Sequence, residues 1–299
     1  MNFRVFQGLV VLGVATSFFS PSPAQAKHWT LEKAEAAAQK GNAEAQYILA
    51  KSYAKGNGVK QDFVQSAAFM REAAEKGYAS AQNDLGAMYA RGQGVEQNYQ
   101  EAAKWYEKAA NQGDPLAQFS MGRIYSIGRG VPKDIETSRR WYLKSAEQGQ
   151  PDAQNALGNL YSKSEDLEKN YQEAAKWYRK AADQGHANAM NNLGFLYEYG
   201  MGVKRDLTQA VKWFRKGAER GDARAQANLG TMYQDAGGGL KKDCIEAYKW
   251  FVLSADQGDP IGKNLERDYR MGEMLTPAEF KESQRRVTEF RTRQLKTQT

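Results

Sequence analysis

The chain has 299 residues, of which 41% are hydrophobic and 26% are charged, and its formal net charge at neutral pH is +7. This length and apolar content allow a large buried core. The basic side chains are interleaved with acidic ones, which favours a solvated surface over nucleic-acid binding. The one cysteine, Cys244, excludes an intrachain disulfide.

Residues 1–26 have the three parts of a secretory signal peptide: an early charge at Arg4, the apolar run "VFQGLVVLGVATSFF", and a small-residue pattern that ends at Ala26. Fifteen apolar residues are fewer than the roughly 20 that a membrane span needs, so we expect cleavage after Ala26 instead of an anchor. No cysteine for a lipid anchor stands nearby, and no later stretch is apolar enough to cross a bilayer. We therefore predict an exported protein, periplasmic or secreted, with no integral membrane segment after cleavage.

Residues 27–40 are predicted to form an N-terminal capping helix with Thr30 as its N-cap. After it, one landmark glycine recurs six times, at intervals of 36 residues five times and then 37. The glycines are Gly41, Gly77, Gly113, Gly149, Gly185, Gly221 and Gly258. The segments 98–113 and 170–185, which agree at fourteen of sixteen positions, are two copies of the same half-repeat. A constant period over most of the chain indicates an array of structural repeats, which we place at residues 41–274 as six full units and a partial seventh.

Each repeat divides into two helical patterns. The first half reads A-Q-x-x-L-G-x-x-Y, with spacings of three and four residues that place these side chains on one helical face. The second half reads A-x-x-W-aromatic-x-x-A-A, and a G-x-G pair in the connection ends the first helix. Because a single helical hairpin cannot bury its own aromatic stripe, neighbouring units must stack. The pattern predicts an all-α fold: a right-handed superhelix of 36-residue helix–turn–helix repeats with the tryptophans as buried wedges.

The combined pattern, A-Q-x-x-L-G-x-x-Y, G-x-G-V and A-x-x-W-Y-x-x-A-A-x-x-G, resembles the Sel1-like repeat (SLR) family, a relative of the tetratricopeptide repeats. Repeat four departs from it by having Ser164 and Asp166 in place of the turn glycines. Repeat six has one extra residue in "DAGGGL", and the seventh repeat loses the pattern after Pro260. The resemblance implies a bacterial scaffold that binds other proteins, in an array that covers most of the chain.

Residues 275–299 are predicted to form a basic C-terminal capping helix. Thr276, Pro277 and Glu279 make a capping box at its start, and Phe280, Val287 and Phe290 are placed to cover the last hairpin. A solvated face is the simpler interpretation of its basic charge, and a contact site for an acidic partner is the alternative.

Catalytic interpretations have little support in this sequence. Two histidines, His28 and His186, do not suffice for a histidine-based metal site, and we interpret His186 as a surface residue. Cys244 falls at a repeat position that we interpret as part of the core. Ser52 and Lys55 match the S-x-x-K motif of serine β-lactamases, but S-D-N and K-T-G motifs are absent. We expect no enzyme activity, no cofactor and no metal; an envelope enzyme that acts on β-lactam or peptidoglycan is the alternative.

In folds of the resembling kind, the first helices of the repeats line a concave groove. Two rows beside the buried stripe vary from repeat to repeat, and we predict that they bind a protein or peptide partner. The row members with side chains suited to recognition are Tyr47, Lys51, Asn83, Phe119, Arg123, Asn155, Asn159, Asn191 and Phe195. Amides both donate to and accept from a peptide backbone, and aromatic side chains serve as apolar anchors. We expect a monomer that acts in envelope regulation, secretion or host interaction; a structural part of an envelope machine is a further alternative.

Overall fold

The computed structural model describes residues 29–163, 169–272 and 274–298, which form fifteen α-helices and no strands. The predicted signal peptide and the Ser164 and Asp166 turn of repeat four lie outside the described residues. Helix α1 (Leu31–Gln39) precedes the array, and α15 (Pro277–Gln298) follows it. Thr30 caps α1, since its side chain accepts a hydrogen bond from the Lys33 N–H.

Between these ends, helices alternate along the chain as the repeat pattern predicts. The first helix of each repeat, here the A helix, is α2 (Ala43–Lys55), α4 (Ala79–Arg91), α6 (Pro115–Ile127), α8 (Pro151–Lys163), α10 (Ala187–Tyr199), α12 (Ala223–Gln234) and α14 (Pro260–Met271). The second, the B helix, is α3 (Phe63–Glu75), α5 (Tyr99–Asn111), α7 (Ile135–Glu147), α9 (Tyr171–Asp183), α11 (Leu207–Glu219) and α13 (Cys244–Asp256). Each helix contacts the next one along the chain, so the array is an all-α solenoid.

The two helices of a repeat meet where an A-helix glycine faces an aromatic ring. A Cβ atom at Gly158 would lie 2.6 Å from the Tyr178 ring, so only glycine leaves room for that ring. The same pairing joins Gly86 to Tyr106, Gly122 to Tyr142, Gly194 to Phe214 and Gly230 to Phe251. In the first repeat the ring is replaced by Met70, and the facing position is Ala50. The glycine of the A-helix pattern is therefore a packing requirement set by its partner ring.

The tryptophans lie between successive B helices. Trp105 packs into a cluster formed by α3 and α4, and Trp213 packs into the corresponding cluster of α9 and α10. Trp105, Trp177, Trp213 and Trp250 are buried as predicted, and Trp141 is only half-buried. A lysine one turn later covers the outer face of the indole, for example Lys108 at 4.0 Å from the Trp105 ring centre. The indoles therefore fill the space that separates neighbouring B helices.

The glutamine of the A-Q pair ties three helices together. Gln82 is buried, and its amide nitrogen donates to the Ala74 carbonyl in the last turn of the preceding B helix. Its amide oxygen accepts from Gln112 at the end of the following B helix. Gln118 and Gln154 repeat both contacts. Buried amides are stable only when they are hydrogen-bonded, so this position fixes how each repeat sits on the previous one.

Two sequence interpretations are corrected by burial. Cys244 and its equivalents begin the B helices and are half-buried or, in the case of Phe63, exposed; Cys244 packs against the edge of the core cluster and is not fully buried. His186 is not a free surface residue: its Nδ1 accepts the Ala189 N–H at the start of α10, and its side chain is 17% exposed.

Helix α15 covers the last repeat. Thr276 and Glu279 form the predicted capping box, with the Thr276 N–H donating to the Glu279 carboxylate at 2.8 Å. Val287 and Phe290 are buried in the core cluster of α11 to α14, and the Phe280 ring lies 5.5 Å from Tyr248. A hydrophobic stripe on α15 therefore occupies the surface on which a further repeat would stack.

The extra residue of repeat six lies just after the turn positions that correspond to the G-x-G pair of other repeats. Ala236 stands at the position of the turn glycines Gly92 and Gly200 and has the same left-handed backbone, with φ of 53°. Gly238 stands at the position of Gly94 and Gly202, and a Cβ there would lie 2.8 Å from the Leu207 carbonyl carbon. The insertion is thus absorbed by Gly239, and Ala236 is a non-glycine residue held in a conformation that favours glycine.

Ala236→Gly is expected to stabilise the protein. The left-handed region costs a non-glycine residue about 1–2 kcal/mol, and glycine's greater freedom in the unfolded chain offsets part of this, so the net gain is about 0.5–1 kcal/mol. The free energy of unfolding from a urea titration followed by circular dichroism measures the effect. Gly200→Ala, the reverse change at the equivalent position, should be destabilising. A less stable Ala236→Gly protein would show that this turn is not strained.

Candidate partner-binding face

The A helices lie side by side and form one continuous face. Helix α10 contacts α12, and α12 contacts α14, in addition to the contacts within each hairpin. Side chains two repeats apart also interact across this face: Arg224 of α12 repels the ammonium of Lys163 at the end of α8, and Asp114 acts on Tyr47. Two A helices of successive repeats are in contact at α10–α12 and at α12–α14, whereas no two B helices are in comparable contact within the described part of the chain, so the array bends towards the A helices. The A-helix face is therefore the concave one.

Three rows of side chains cover this concave face. The first row is Tyr47, Asn83, Phe119, Asn155, Asn191 and Ala227, and the second row is Lys51, Ala87, Arg123, Asn159, Phe195 and Thr231. A third row, which we name the linking row, is Ile48, Asp84, Ser120, Ala156, Asn192 and Asn228. Three of its members, Asp84, Asn192 and Asn228, bond to the first or second row of the preceding repeat, 37 or 33 residues earlier.

Repeats one and two are joined by the linking-row residue Asp84. Its carboxylate accepts a hydrogen bond from the Tyr47 hydroxyl at 3.1 Å and forms an ion pair with Lys51 at 2.9 Å. Burial raises the pKa of the Tyr47 hydroxyl, and the carboxylates of Asp84 and Asp114 raise it further. Tyr47 and Lys51 are thus brought together as predicted, but both are held by a carboxylate that the row pattern did not include.

In the central repeats the rows bring five asparagines together. Asn192 donates to Asn155 at 3.1 Å and lies 3.4 Å from Asn159, which also accepts from the Tyr178 hydroxyl at 2.8 Å. Asn228 donates to Asn191 at 2.9 Å. Asn155 and Asn159 remain half-buried, whereas Asn191 is only 7% exposed and serves mainly to join α10 to α12.

The two phenylalanines of the rows are half-buried. The Phe119 ring packs 5.7 Å from Tyr142 and lies beneath the exposed guanidinium of Arg123. Phe195 lies 4.6 Å from the ring of Tyr199 and packs against the core of the last repeats. Each pair presents an aromatic edge beside polar groups, which is the usual composition of a protein-recognition surface.

Asn83, in the first row, has an unsatisfied acceptor. Its amide nitrogen lies 3.4 Å from Asp84, but its amide oxygen is shielded from solvent and has no hydrogen-bond partner among the described residues. A buried carbonyl oxygen without a donor is destabilising by about 1–3 kcal/mol. A peptide N–H that reached this oxygen would remove the penalty.

Several charges on this face are poorly compensated. Burial raises the pKa of Asp114 and of Asp222, even though each carboxylate caps a helix. Lys163 is exposed, yet desolvation lowers the pKa of its ammonium to about 8, and repulsion by Arg224 lowers it further. Asp152 differs, because its hydrogen bond with His186 holds the pKa of that carboxyl below its usual value.

The S-x-x-K motif, which suggested the β-lactam-acting alternative, lies within a helix of the first repeat. Ser52 and Lys55 are one turn apart on α2, and Ser52 stands where later repeats place the buried residues Met88, Ile124, Leu196 and Met232. The described residues contain no group of three or more His, Cys, Asp or Glu side chains that could hold a metal ion. Within the same residues, no helix has the length and apolar character to cross a bilayer.

Comparison with known proteins identifies the repeat. The model of the family described as "Sel1 repeat" matches six consecutive segments: 43–78, 79–114, 115–150, 151–186, 187–222 and 223–259. Each segment contains one A helix, one B helix and the turn that follows. No curated protein matches the chain.

Two solved structures are similar over most of the chain. One is a protective antigen present in uropathogenic Escherichia coli strains, with an SLR fold, 35% identity and a TM-score of 0.76. The match covers 87% of this chain but 56% of the antigen, so this chain spans little more than half of that protein's length. The other is a Sel1 repeat protein from Oxalobacter formigenes, with 30% identity, a TM-score of 0.69, and coverage of 76% of this chain and 100% of that one.

Proposed function

Because this chain belongs to the Sel1 repeat family, we propose that it is an exported, monomeric scaffold that binds a protein or peptide along its concave face and catalyses no reaction. Sel1 repeat proteins generally act as scaffolds for protein interactions. What we add is that the contact surface is the concave face and that the protein acts outside the cytoplasm.

One observation carries the choice of surface. The glycine, tyrosine, glutamine and tryptophan positions that hold the repeats together are nearly constant within this sequence, whereas the first and second rows vary among the repeats. A purely structural face would tolerate the same side chain six times. The variable rows instead place cations, amides and aromatic rings at different points along one groove, as recognition of a single irregular partner requires.

Export rests on the charged, apolar and small-residue parts of residues 1–26. The similar E. coli protein is a protective antigen, and protective antigens are accessible to the immune system, which supports a place outside the cytoplasm. The absence of catalytic function is supported by the position of Ser52, which follows from the repeat and needs no catalytic explanation.

Replacing concave side chains is expected to weaken partner binding. The test variant combines Arg123→Ala, Asn155→Ala and Phe195→Ala, and the purified protein is used to capture partners from an envelope extract. The protein most enriched by the wild type is then purified, and its Kd is measured for both chains. We expect at least a tenfold increase in Kd, because the variant removes a charge, an amide and an apolar anchor from one face.

The matched control replaces three exposed lysines on the B helices, Lys104, Lys176 and Lys212, with alanine. This control should bind as the wild type does, and circular dichroism must show that all three proteins are equally helical. If the control loses the partner and the concave variant keeps it, the partner docks on the outer face. That result would favour the role of a structural component in an envelope machine.

A further inference from the structure

We propose that the occupant of the concave face is an extended peptide with acidic side chains along one edge and basic side chains along the other. This inference rests on the proposed function and specifies the chemistry of the partner. It follows from how ionisable groups are distributed between the two ends of the A helices.

The A helices run in the same direction, so their N-terminal ends form one edge of the groove and their C-terminal ends form the other. The carboxylates of the face lie at the N-terminal edge, at the caps or in the first turn: Glu44, Asp114, Asp152 and Asp222. The cations lie towards the C-terminal edge: Lys51, Lys55, Arg91, Arg123 and Lys163. The exceptions are Arg224 at the N-terminal edge, Glu198 near the C-terminal edge, and Asp84, which lies between the edges and pairs with Lys51. The groove is therefore acidic along one edge and basic along the other.

The two edges are a suitable distance apart for one extended backbone. Residues 2 and 9 of a helix are about 10 Å apart along its axis, and residues 2 and 13 about 16 Å. In an extended chain, successive side chains point to opposite sides. A single strand along the groove could thus direct every second side chain to the basic edge and the others to the acidic edge. A helical partner, by contrast, would direct successive side chains all round its axis, so alternate residues would not face opposite edges.

Three of these charges lie in desolvated surroundings, although Arg224 partly compensates one of them, Asp222. The carboxylates of Asp114 and Asp222 have raised pKa values because of burial, and the ammonium of Lys163 has a lowered one. Charges held in a desolvated groove are stabilised when an opposite charge approaches. A basic side chain beside Asp114 or Asp222, and an acidic one beside Lys163, would each supply that charge. A partner of one sign could compensate only one edge.

The strip between the edges suits a peptide backbone. It contains the half-buried amides of Asn155, Asn159 and Asn192, together with the unpaired amide oxygen of Asn83. Backbone N–H and C=O groups need both acceptors and donors, and side-chain amides provide both. The strip therefore holds the main chain while the two edges select its side chains.

The test uses two peptides of identical composition and different order. One alternates glutamate and lysine through twelve residues, and the other has six glutamates followed by six lysines; both are acetylated, amidated and labelled with fluorescein. Kd is measured by fluorescence anisotropy at low salt with the full mature chain. We expect the alternating peptide to bind at least tenfold more tightly, since only its order places opposite charges on opposite edges.

Two double variants locate the site. Arg123→Gln with Lys163→Gln should weaken binding of the alternating peptide at least fivefold, and Lys104→Gln with Lys176→Gln on the B helices should leave it unchanged. Equal binding of the two peptides, or tighter binding of the block peptide, would overturn the inference, as would weakening by the B-helix variant alone. If the concave triple variant loses its natural partner while the peptides are not distinguished, this inference fails and the proposed function stands.

Discussion

Trp213→Ala is expected to lower the free energy of unfolding by about 3–5 kcal/mol, the range for removing a large aromatic side chain from a core. Trp213 is 3% exposed and packs against α9 and α10. Lys216 and Arg179 lie over its ring at 4.4 Å and 5.1 Å. Removing the indole therefore opens a cavity between α9 and α11 and leaves Lys216 without its aromatic partner, whereas Arg179 keeps its contact with Tyr197. A urea titration followed by circular dichroism measures the loss.

Two matched variants separate the role of the wedge from a general effect of losing tryptophan. Trp141 occupies the same repeat position but is half-buried, so Trp141→Ala should cost only about 1–2 kcal/mol. Trp213→Phe should cost about 1 kcal/mol, because the indole N–H that it removes has no hydrogen-bond partner among the described residues. Equal losses for Trp213→Ala and Trp141→Ala would show that burial between B helices does not determine the stability of the array.

The fold could be predicted from this sequence because the same packing positions recur in successive repeats. A glycine facing an aromatic ring, a buried glutamine and a tryptophan recur at fixed spacing, and only stacked hairpins satisfy all three. The family match and the similar structures confirm the all-α solenoid. The capping signals at Thr30 and Thr276 were also sufficient, since an N-cap depends on a few neighbouring residues.

The candidate site was only partly predictable. The period correctly places Asn155 beside Asn159, and Tyr47 beside Lys51, because residues four apart share a helix face. It did not reveal that Asp84 and Asn192 bond to the preceding repeat, since that requires the offset between two packed helices. Contacts 37 and 33 residues apart are the signature of this offset, and a search for polar pairs at those separations would have found the linking row.

Longer-range features could not be obtained from the repeat pattern. The repulsion between Lys163 and Arg224 joins residues two repeats apart, so it depends on how small rotations accumulate along the array. Asn191 belongs to a variable row, yet it is buried because Asn228 reaches it from the next helix. His186 caps α10, which follows from its alignment with the caps Asn42, Asp114 and Asp222 but not from its residue type.

Gly130→Ala is expected to lower the free energy of unfolding by about 2–5 kcal/mol. Gly130 has a φ of 79°, which costs a residue with a side chain about 1–2 kcal/mol. A Cβ atom there would also lie 2.5 Å from the carbonyl carbon of Tyr99, at the start of the preceding B helix. Backbone cannot rotate away as a side chain can, so the turn of repeat three must move off repeat two, at a further cost of about 1–3 kcal/mol.

Gly149→Ala is the control that separates the steric cost of the close backbone contact from the cost of the left-handed conformation. Its φ of 89° imposes a similar conformational strain, but no atom lies within 4 Å of the added Cβ, so the loss should be about 1–2 kcal/mol. The difference between the two variants measures the close approach of neighbouring repeats at the turn. Because stability in a solenoid is a sum of unit and interface terms, Gly130→Ala should also make the chain unfold in two steps, with repeats one and two separating from the rest. Equal losses for the two variants, in a single transition, would mean that the turn does not hold the repeats together and that its glycines serve local conformation alone.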